Sequence, residues 1–323
     1  MAGLGAANPG PLNPSEVLDD SRTFAFRLFR ALPDSLTGLR MLHLMARPPR
    51  LFWPKDIRIG LRMIESQSPG RQIPLWILRP RVSASRLPVV LNLHGGGHAI
   101  GAPQQDFGLL AQLTAQTPCV VVTPDYRLSL REPYPAALED CADALRWVFG
   151  NAAEHGGDPD RLYVMGHSSG GGLAAALGLL SRNQAIPKLA GLLLIGAMLD
   201  DRTGLSANPD LSWNAERNTL AWRLYLRGIA ASGIVPETAA PARTADLSSL
   251  PATFGVVGAA DLFLQENASF FERLSQHGVP APLAIVPHAY HGIEVLAPKS
   301  GAGDAMLAAI RTGFARMLEL RPK

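Results

Sequence analysis

Short apolar segments alternate with helical segments through most of this 323-residue chain. This alternation favours a parallel sheet, because strands that helices cover on both faces are apolar along their whole length. The predicted strands are 89–93, 120–122, 162–165, 192–195, 252–257 and 283–286. The helices predicted to alternate with them are 106–116, 135–149, 169–181, 265–277 and 302–319. The pattern indicates an α/β fold with a mostly parallel central sheet and helices on both faces.

Two segments depart from this alternation. Residues 56–78 alternate apolar and polar side chains around a Ser-Pro-Gly turn, which predicts an antiparallel hairpin ahead of the parallel strands. Residues 201–244 are too long for an ordinary connection between two strands, and they have helical character. Their large aromatic residues are Trp213, Trp222 and Tyr225. We expect this segment to be an insertion that forms part of a helical cap.

The N-terminal region has two interpretations. Residues 15–51 have a helical pattern in which arginines lie between Phe26, Phe29 and Leu32. A basic amphipathic helix can lie on a membrane surface. Because Pro33 soon breaks the pattern, we favour helices that pack over the rest of the chain. The predicted units are N-terminal cap helices (1–55), the first part of the core (56–200), a cap insertion (201–245) and the second part of the core (246–323).

Composition excludes several classes of function. The net charge is only +3 and no block of consecutive Lys or Arg occurs, so we expect no nucleic-acid partner. The longest apolar stretch, 189–199, is shorter than the roughly 20 residues that span a bilayer, so we expect no stable membrane insertion. Two cysteines without a metal-binding or disulfide spacing, and an N-terminus without a secretory pattern, predict a cytoplasmic protein.

Residues 166–170 have the sequence Gly-His-Ser-Ser-Gly, between a predicted strand and a predicted helix. In that context the motif is typical of a nucleophile elbow, a strained turn that projects a serine hydroxyl from the sheet. The N-terminus of the following helix stabilises developing negative charge. Ser168 is therefore the predicted nucleophile.

A glycine triplet follows His94 at the end of the strand predicted for 89–93. Consecutive glycines expose backbone N–H groups, and acyl transfer needs such donors for the charged oxygen of its tetrahedral intermediate. The predicted oxyanion-hole donors are the amides of Gly96, Gly97 and Ser169, the residue after the nucleophile.

Taken in order, these motifs resemble those of the hormone-sensitive-lipase family of bacterial esterases. The matching segments are HGGG at 94–97, DYRL at 125–128, YPAA at 134–137, DPDR at 158–161 and the elbow. The resemblance covers about residues 87–295. It implies an α/β-hydrolase fold, carboxylesterase activity on a small-molecule ester, and no metal or organic cofactor. It also implies that Arg127 and Asp140 form a structural ion pair or a hydrogen-bond network behind the oxyanion loop.

In this fold the acid and then the base follow the serine along the chain. Of the three histidines after Ser168, His277 lies at a predicted helix end, where histidine is a common cap. His288 and His291 both follow the last predicted strand. Because His291 and the glycine after it match the His-Gly of the family, His291 is the predicted base and His288 the alternative.

Asp261 is the predicted acid, because it follows the strand predicted for 252–257 and matches the family position. Asp200 and Asp201 follow the preceding strand and are the alternative, although they also suit helix N-caps at the start of the insertion. The carboxylate would hold the tautomer of His291 and stabilise its protonated form without taking the proton.

Three single positions and one motif depart from the family pattern. His98 stands where Phe or Trp usually follows the glycines, His167 replaces an Asp, and Ser169 replaces an Ala. The acidic motif at 261–266 keeps its first Asp and its final Glu but loses its middle. These changes leave all three triad residues in place, so they bear on substrate choice. We expect His167 to point away from the pocket.

The sequence thus predicts a Ser168–Asp261–His291 esterase that acts through an acyl-enzyme on short- to medium-chain acyl esters under a cap. A thioesterase or an amidase would use the same residues. A non-catalytic receptor of this fold would lack a triad member, whereas every triad position is filled here. The oligomeric state stays open, with a homodimer as one option.

Overall fold

A computed structural model describes residues 19–81, 86–203, 211–229 and 233–320. The strands are β1 (Ile57–Glu65), β2 (Gln72–Pro80), β3 (Leu87–Leu93), β4 (Val120–Pro124), β5 (Gly157–His167), β6 (Gly191–Ile195), β7 (Thr253–Gly258) and β8 (Leu283–Val286). The α-helices are α1 (Phe24–Ala31), α2 (Leu36–Met45), α3 (Phe107–Gln116), α4 (Ala136–Asn151), α5 (Ser169–Arg182), α6 (Ala215–Leu226), α7 (Leu264–Gln276), α8 (Ile293–Leu296) and α9 (Gly301–Glu319).

The eight strands form one sheet in the order β1-β2-β4-β3-β5-β6-β7-β8. Strands β3 to β8 are parallel, whereas β1 pairs with β2 and β2 with β4 in antiparallel fashion. The predicted hairpin and the mostly parallel sheet are therefore confirmed. Strand β5 begins at Gly157 rather than at Leu162, because Gly157 pairs with Leu87 across a register shift that the polar sequence does not reveal.

Neighbouring residues of one strand pack on opposite faces of the sheet. Leu91 belongs to an apolar cluster with side chains of α4, α5 and α7, while Val90 belongs to a second cluster with α3 and α9. Both cysteines are buried with free thiols, Cys119 before β4 and Cys141 in α4. Because helices cover both faces of the sheet, the sequences of its strands are apolar along their whole length. Among residues of the described ranges, no helix combines the length and apolar character needed to cross a membrane.

Helices α1 and α2 contact the rest of the chain through specific groups. The ring of Phe26 lies 4.9 Å from that of Tyr290, which follows β8. Arg217 of α6 is buried and donates hydrogen bonds to the carbonyl oxygens of Phe29 and Leu32. These contacts favour packing over the core as the interpretation of this segment. Residues 15–18 of the predicted helical region lie outside the described residues.

Candidate active site

Ser168 occupies the turn between β5 and α5 with φ 55° and ψ −122°. This left-handed conformation is rare for a residue with a side chain. Its backbone N–H donates to the carbonyl oxygen of Ile195 at 2.8 Å, which fixes the turn against β6. A Cβ at Gly170 would lie 2.0 Å from the carbonyl oxygen of Leu93, so only glycine fits there. The serine hydroxyl is thus held at the carboxyl edge of the sheet.

His291 connects Ser168 to Asp261. Its Nε2 lies 3.0 Å from Oγ of Ser168, and its Nδ1 lies 2.9 Å from Oδ2 of Asp261. The other carboxylate oxygen of Asp261 accepts the backbone N–H of Phe263 at 2.9 Å. All three side chains are buried. The structure therefore brings the three predicted residues together in one hydrogen-bonded chain.

The alternative residues have other contacts. His277 is the C-cap of α7, as predicted, and its Nδ1 lies 2.8 Å from the carbonyl oxygen of Arg273. His288 lies half-buried in the turn after β8, with φ 58°. It is His291, further along the same loop, that reaches both Ser168 and Asp261.

The two alternative carboxylates pair with arginines. Asp200 accepts hydrogen bonds from the side chain and the backbone N–H of Arg202, and Asp201 accepts two from the Arg243 guanidinium, at 2.6 and 2.9 Å. The interpretation of these residues as helix N-caps is wrong, because 201–203 form a turn in which the arginines are the partners.

The predicted oxyanion loop is held by packing on both sides. The imidazole of His94 stacks on Tyr126 at 4.2 Å, and the Tyr126 hydroxyl donates to the His94 carbonyl at 2.6 Å. Burial lowers the pKa of His94 to about 4, so the ring is neutral at pH 7. Gly97 has φ 59°, and a Cβ there would lie 2.5 Å from the ring of Trp213. The loop conformation therefore requires its glycine.

The predicted ion pair of Arg127 and Asp140 is present. The Arg127 guanidinium and backbone N–H both donate to the Asp140 carboxylate, at 3.0 and 2.9 Å. Arg71 of the β1–β2 turn lies 3.1 Å from the same carboxylate. This buried carboxylate therefore has enough donors to offset its desolvation.

A cleft of about 500 Å³ lies above Ser168 and His291. Its walls include Phe24, Ala25, Leu28 and Phe29 of α1, Leu42 and Met45 of α2, and Ile100, Trp213, Val295 and Leu296. Among the described residues that line it, none is Asp, Glu, Lys or Arg. Such a surface accommodates an uncharged, apolar molecule next to a small number of polar groups.

Sequence reasoning missed several polar residues around this site. The hydroxyl of Ser212 donates to the carbonyl oxygen of His291, and no motif marks that serine. Glu266 is buried and accepts the backbone N–H of Leu199 at 2.6 Å, which fixes the loop after β6. Burial raises the pKa of Glu266 well above its usual value. The sequence did carry a signal for Glu266, because this residue is the final Glu of the acidic motif at 261–266.

His167 was expected to point away from the pocket, and this expectation is wrong. His167 lines the cleft, and its ring lies 5.4 Å from that of His291 at an interplanar angle of 24°. Its Nε2 is 2.9 Å from Oε1 of Glu294, a buried carboxylate on α8. A buried anion attracts the imidazole, which explains why His167 turns towards the His291 side.

Comparison with known proteins agrees with the fold. Residues 90–295 match a family with the alpha/beta hydrolase fold. The chain is 34% identical over 257 residues to carboxylesterase NlhH of Mycobacterium tuberculosis, covering 76% of this chain and 80% of that protein. A solved structure of a bacterial heroin esterase superposes with a TM-score of 0.82 at 27% identity, covering 94% of this chain and 98% of that one. Esterase LipW from Mycobacterium marinum gives a TM-score of 0.80 at 30% identity, with coverage of 90% and 95%.

The chain belongs to the α/β-hydrolase family, in the hormone-sensitive-lipase-like group that its motifs resemble. Within that family it is a serine hydrolase of the carboxylesterase class.

Proposed function

We propose that Ser168 is the nucleophile of this esterase, His291 its general base and Asp261 the carboxylate that orients the base. The observation that supports these roles is the hydrogen-bonded chain of the three side chains at the floor of the cleft. Ser168 attacks the ester carbonyl while His291 takes its proton, and Asp261 stabilises the imidazolium that forms. His291 then gives this proton to the leaving alcohol.

The second half of the reaction removes the acyl group. His291 takes a proton from water, the hydroxide attacks the acyl-enzyme, and Ser168 regains its proton as the acid leaves. In both halves the amides of Gly96, Gly97 and Ser169 donate to the oxyanion. These steps use only groups of the protein and water.

The proposed substrates are esters of short- to medium-chain acids. The proposed cap consists of residues 1–55 and 201–245, and its described parts place apolar side chains such as Phe29 and Trp213 on the walls of the cleft. An apolar, partly closed cavity favours an uncharged acyl chain until the chain outgrows it.

Labelling and mutation of Ser168 test these roles. An alkyl fluorophosphonate is expected to modify Ser168 alone and to abolish hydrolysis of p-nitrophenyl butyrate. Ser168→Ala is expected to remain folded and to lose roughly 10⁴-fold or more in kcat. Ser275→Ala is the matched control, because its hydroxyl contacts the carbonyl of Phe271 on α7. Label on another residue, or an active Ser168→Ala, contradicts the proposal.

We also propose that the protein is cytoplasmic and that it forms a homodimer. Two free, buried thiols fit a reducing compartment. Cell fractionation tests the location, and light scattering of the purified protein tests the homodimer.

A further inference from the structure

A second pair of side chains lies beside the proposed triad. His167 Nε2 and Glu294 Oε1 are 2.9 Å apart, and the side chain of Glu294 is only 2% exposed. The ring of His167 lies 5.4 Å from that of His291. A Cβ at Gly95 would lie 3.4 Å from Nδ1 of His167. His167 therefore packs against both the proposed oxyanion loop and His291.

The charges around His167 come from three elements. Glu294 on α8, Asp106 before α3 and Asp261 after β7 are its carboxylate neighbours, and His291 is its other titratable neighbour. Burial disfavours the imidazolium, but attraction to the carboxylates, with Glu294 the strongest, outweighs burial and raises the pKa of His167 to about 9. Burial likewise disfavours the Glu294 carboxylate, yet His167 holds the pKa of that group below its usual value.

Asp106 already has a different partner. Its Oδ2 accepts the side-chain N–H of Asn92 at 2.9 Å, and burial raises its pKa to about 6. Glu294 is therefore the dedicated counter-ion of His167. The family pattern has an Asp before the nucleophile, so this chain carries the opposite charge at that position.

We propose that His167, charged and paired with Glu294, is a positioning residue that packs against His291 and cancels, at that base, the charge of the buried Glu294 carboxylate. The inference rests on the proposed role of His291 as general base. Without the cation of His167, the buried Glu294 carboxylate would favour a positive charge on His291, which could then not accept the proton of Ser168. The carboxylate of Glu294 keeps the pair neutral overall.

The acidic limb of the kcat/KM pH profile tests this role, because it reports protonation of the base in the free enzyme. His167→Asn removes the cation, so the limb is expected to move to higher pH. Coulomb's law at the 5.4 Å ring separation, with an effective dielectric of about 20 to 80, gives a displacement of about 0.5 to 2 pH units. The plateau rate above the limb is expected to fall far less than in Ser168→Ala.

The double variant His167→Asn/Glu294→Gln separates charge from packing. It removes both charges, so its limb is expected to return close to that of the wild type, while Glu294→Gln alone does not move the limb to higher pH. His277→Asn, a histidine change outside the cleft, is the control. His167→Gln repeats the test if His167→Asn does not fold.

Two results overturn the inference. One is an unchanged limb in folded His167→Asn or His167→Gln, and the other is a double variant displaced as far as His167→Asn. A purely structural role predicts the first result together with a lower melting temperature. Failure of the triad itself is distinguishable, since it appears as activity retained in Ser168→Ala.

Discussion

The imidazole of His98 lies flat on the phenol ring of Tyr225, with ring centroids 3.8 Å apart and 8° between the planes. His98 directly follows the glycines of the proposed oxyanion hole, and Tyr225 belongs to α6. The stack therefore connects this loop to α6. Both ring nitrogens of His98 are buried with no hydrogen-bond partner among the described residues, and burial lowers its pKa to about 3.

This burial predicts sensitivity to acid. An unfolded histidine titrates near pH 6.5, so between pH 6.5 and about 3 the unfolded chain binds a proton that folded His98 does not. The stability that depends on neutral His98 is thus present above pH 6.5 and is lost as pH falls. The expected loss is about 1.4 kcal/mol of unfolding free energy per pH unit from His98, and His94 adds a similar loss down to about pH 4.

Urea unfolding at pH 7 and pH 5 measures the effect. His98→Phe is expected to show a shallower pH dependence than the wild type by about 2 kcal/mol over this interval. His277→Phe is the control, since His277 is a partly exposed helix cap. Parallel pH dependences for the wild type and His98→Phe would contradict the prediction.

The two loop histidines are expected to differ sharply. His291→Ala removes the group that contacts Ser168 and Asp261, so kcat is expected to fall on the order of 10⁴-fold or more. His288→Ala is expected to keep most activity, because the hydrogen bonds to Ser168 and Asp261 are formed by His291. Initial rates on p-nitrophenyl butyrate compare the two variants, and the reverse order would identify His288 as the base.

Asp261, the carboxylate of the proposed triad, has a matched control in Asp200. Asp261→Asn is expected to lower kcat on the order of 10⁴-fold, the loss known for other triads. Asp200→Asn is expected to be nearly neutral, because it only loosens an ion pair with the exposed Arg202, and exposed pairs contribute about 0 to 1 kcal/mol. If Asp200→Asn lost its activity while Asp261→Asn kept it, the acid of the triad would be Asp200, in the loop after β6.

Local patterns in the sequence predicted much of this architecture. The elbow around Ser168 could be recognised because its strand, its helix and its small residues are all local, and Leu283–Val286 was predicted with both boundaries correct. The orientation of His167 could not be recognised, because it depends on Glu294, which is distant in sequence and is brought near only by folding. The visible signal was a single acidic residue three positions after His291, in an otherwise apolar segment.

Helix α1 of the proposed cap is expected to limit the length of the acyl chain that the enzyme accepts. Leu28 of α1 lines the cleft and is 38% exposed, whereas Leu44 of α2 is 77% exposed and is absent from the described cleft lining. While the wall has room, each added methylene contributes about 0.8 kcal/mol, or roughly fourfold in kcat/KM. Activity is therefore expected to rise from acetate, to peak at or below roughly octanoate, and then to fall.

Leu28→Trp narrows the cleft without changing the proposed triad. It is expected to lower kcat/KM for octanoate more than for acetate, and so to move the optimum to shorter esters, while the control Leu44→Trp leaves the octanoate-to-acetate ratio unchanged. Initial rates on p-nitrophenyl esters from acetate to palmitate measure both variants. Because a closed cavity penalises long chains, highest kcat/KM on palmitate would show that α1 and α2 open as a lid and that the wall at Leu28 does not limit the substrate.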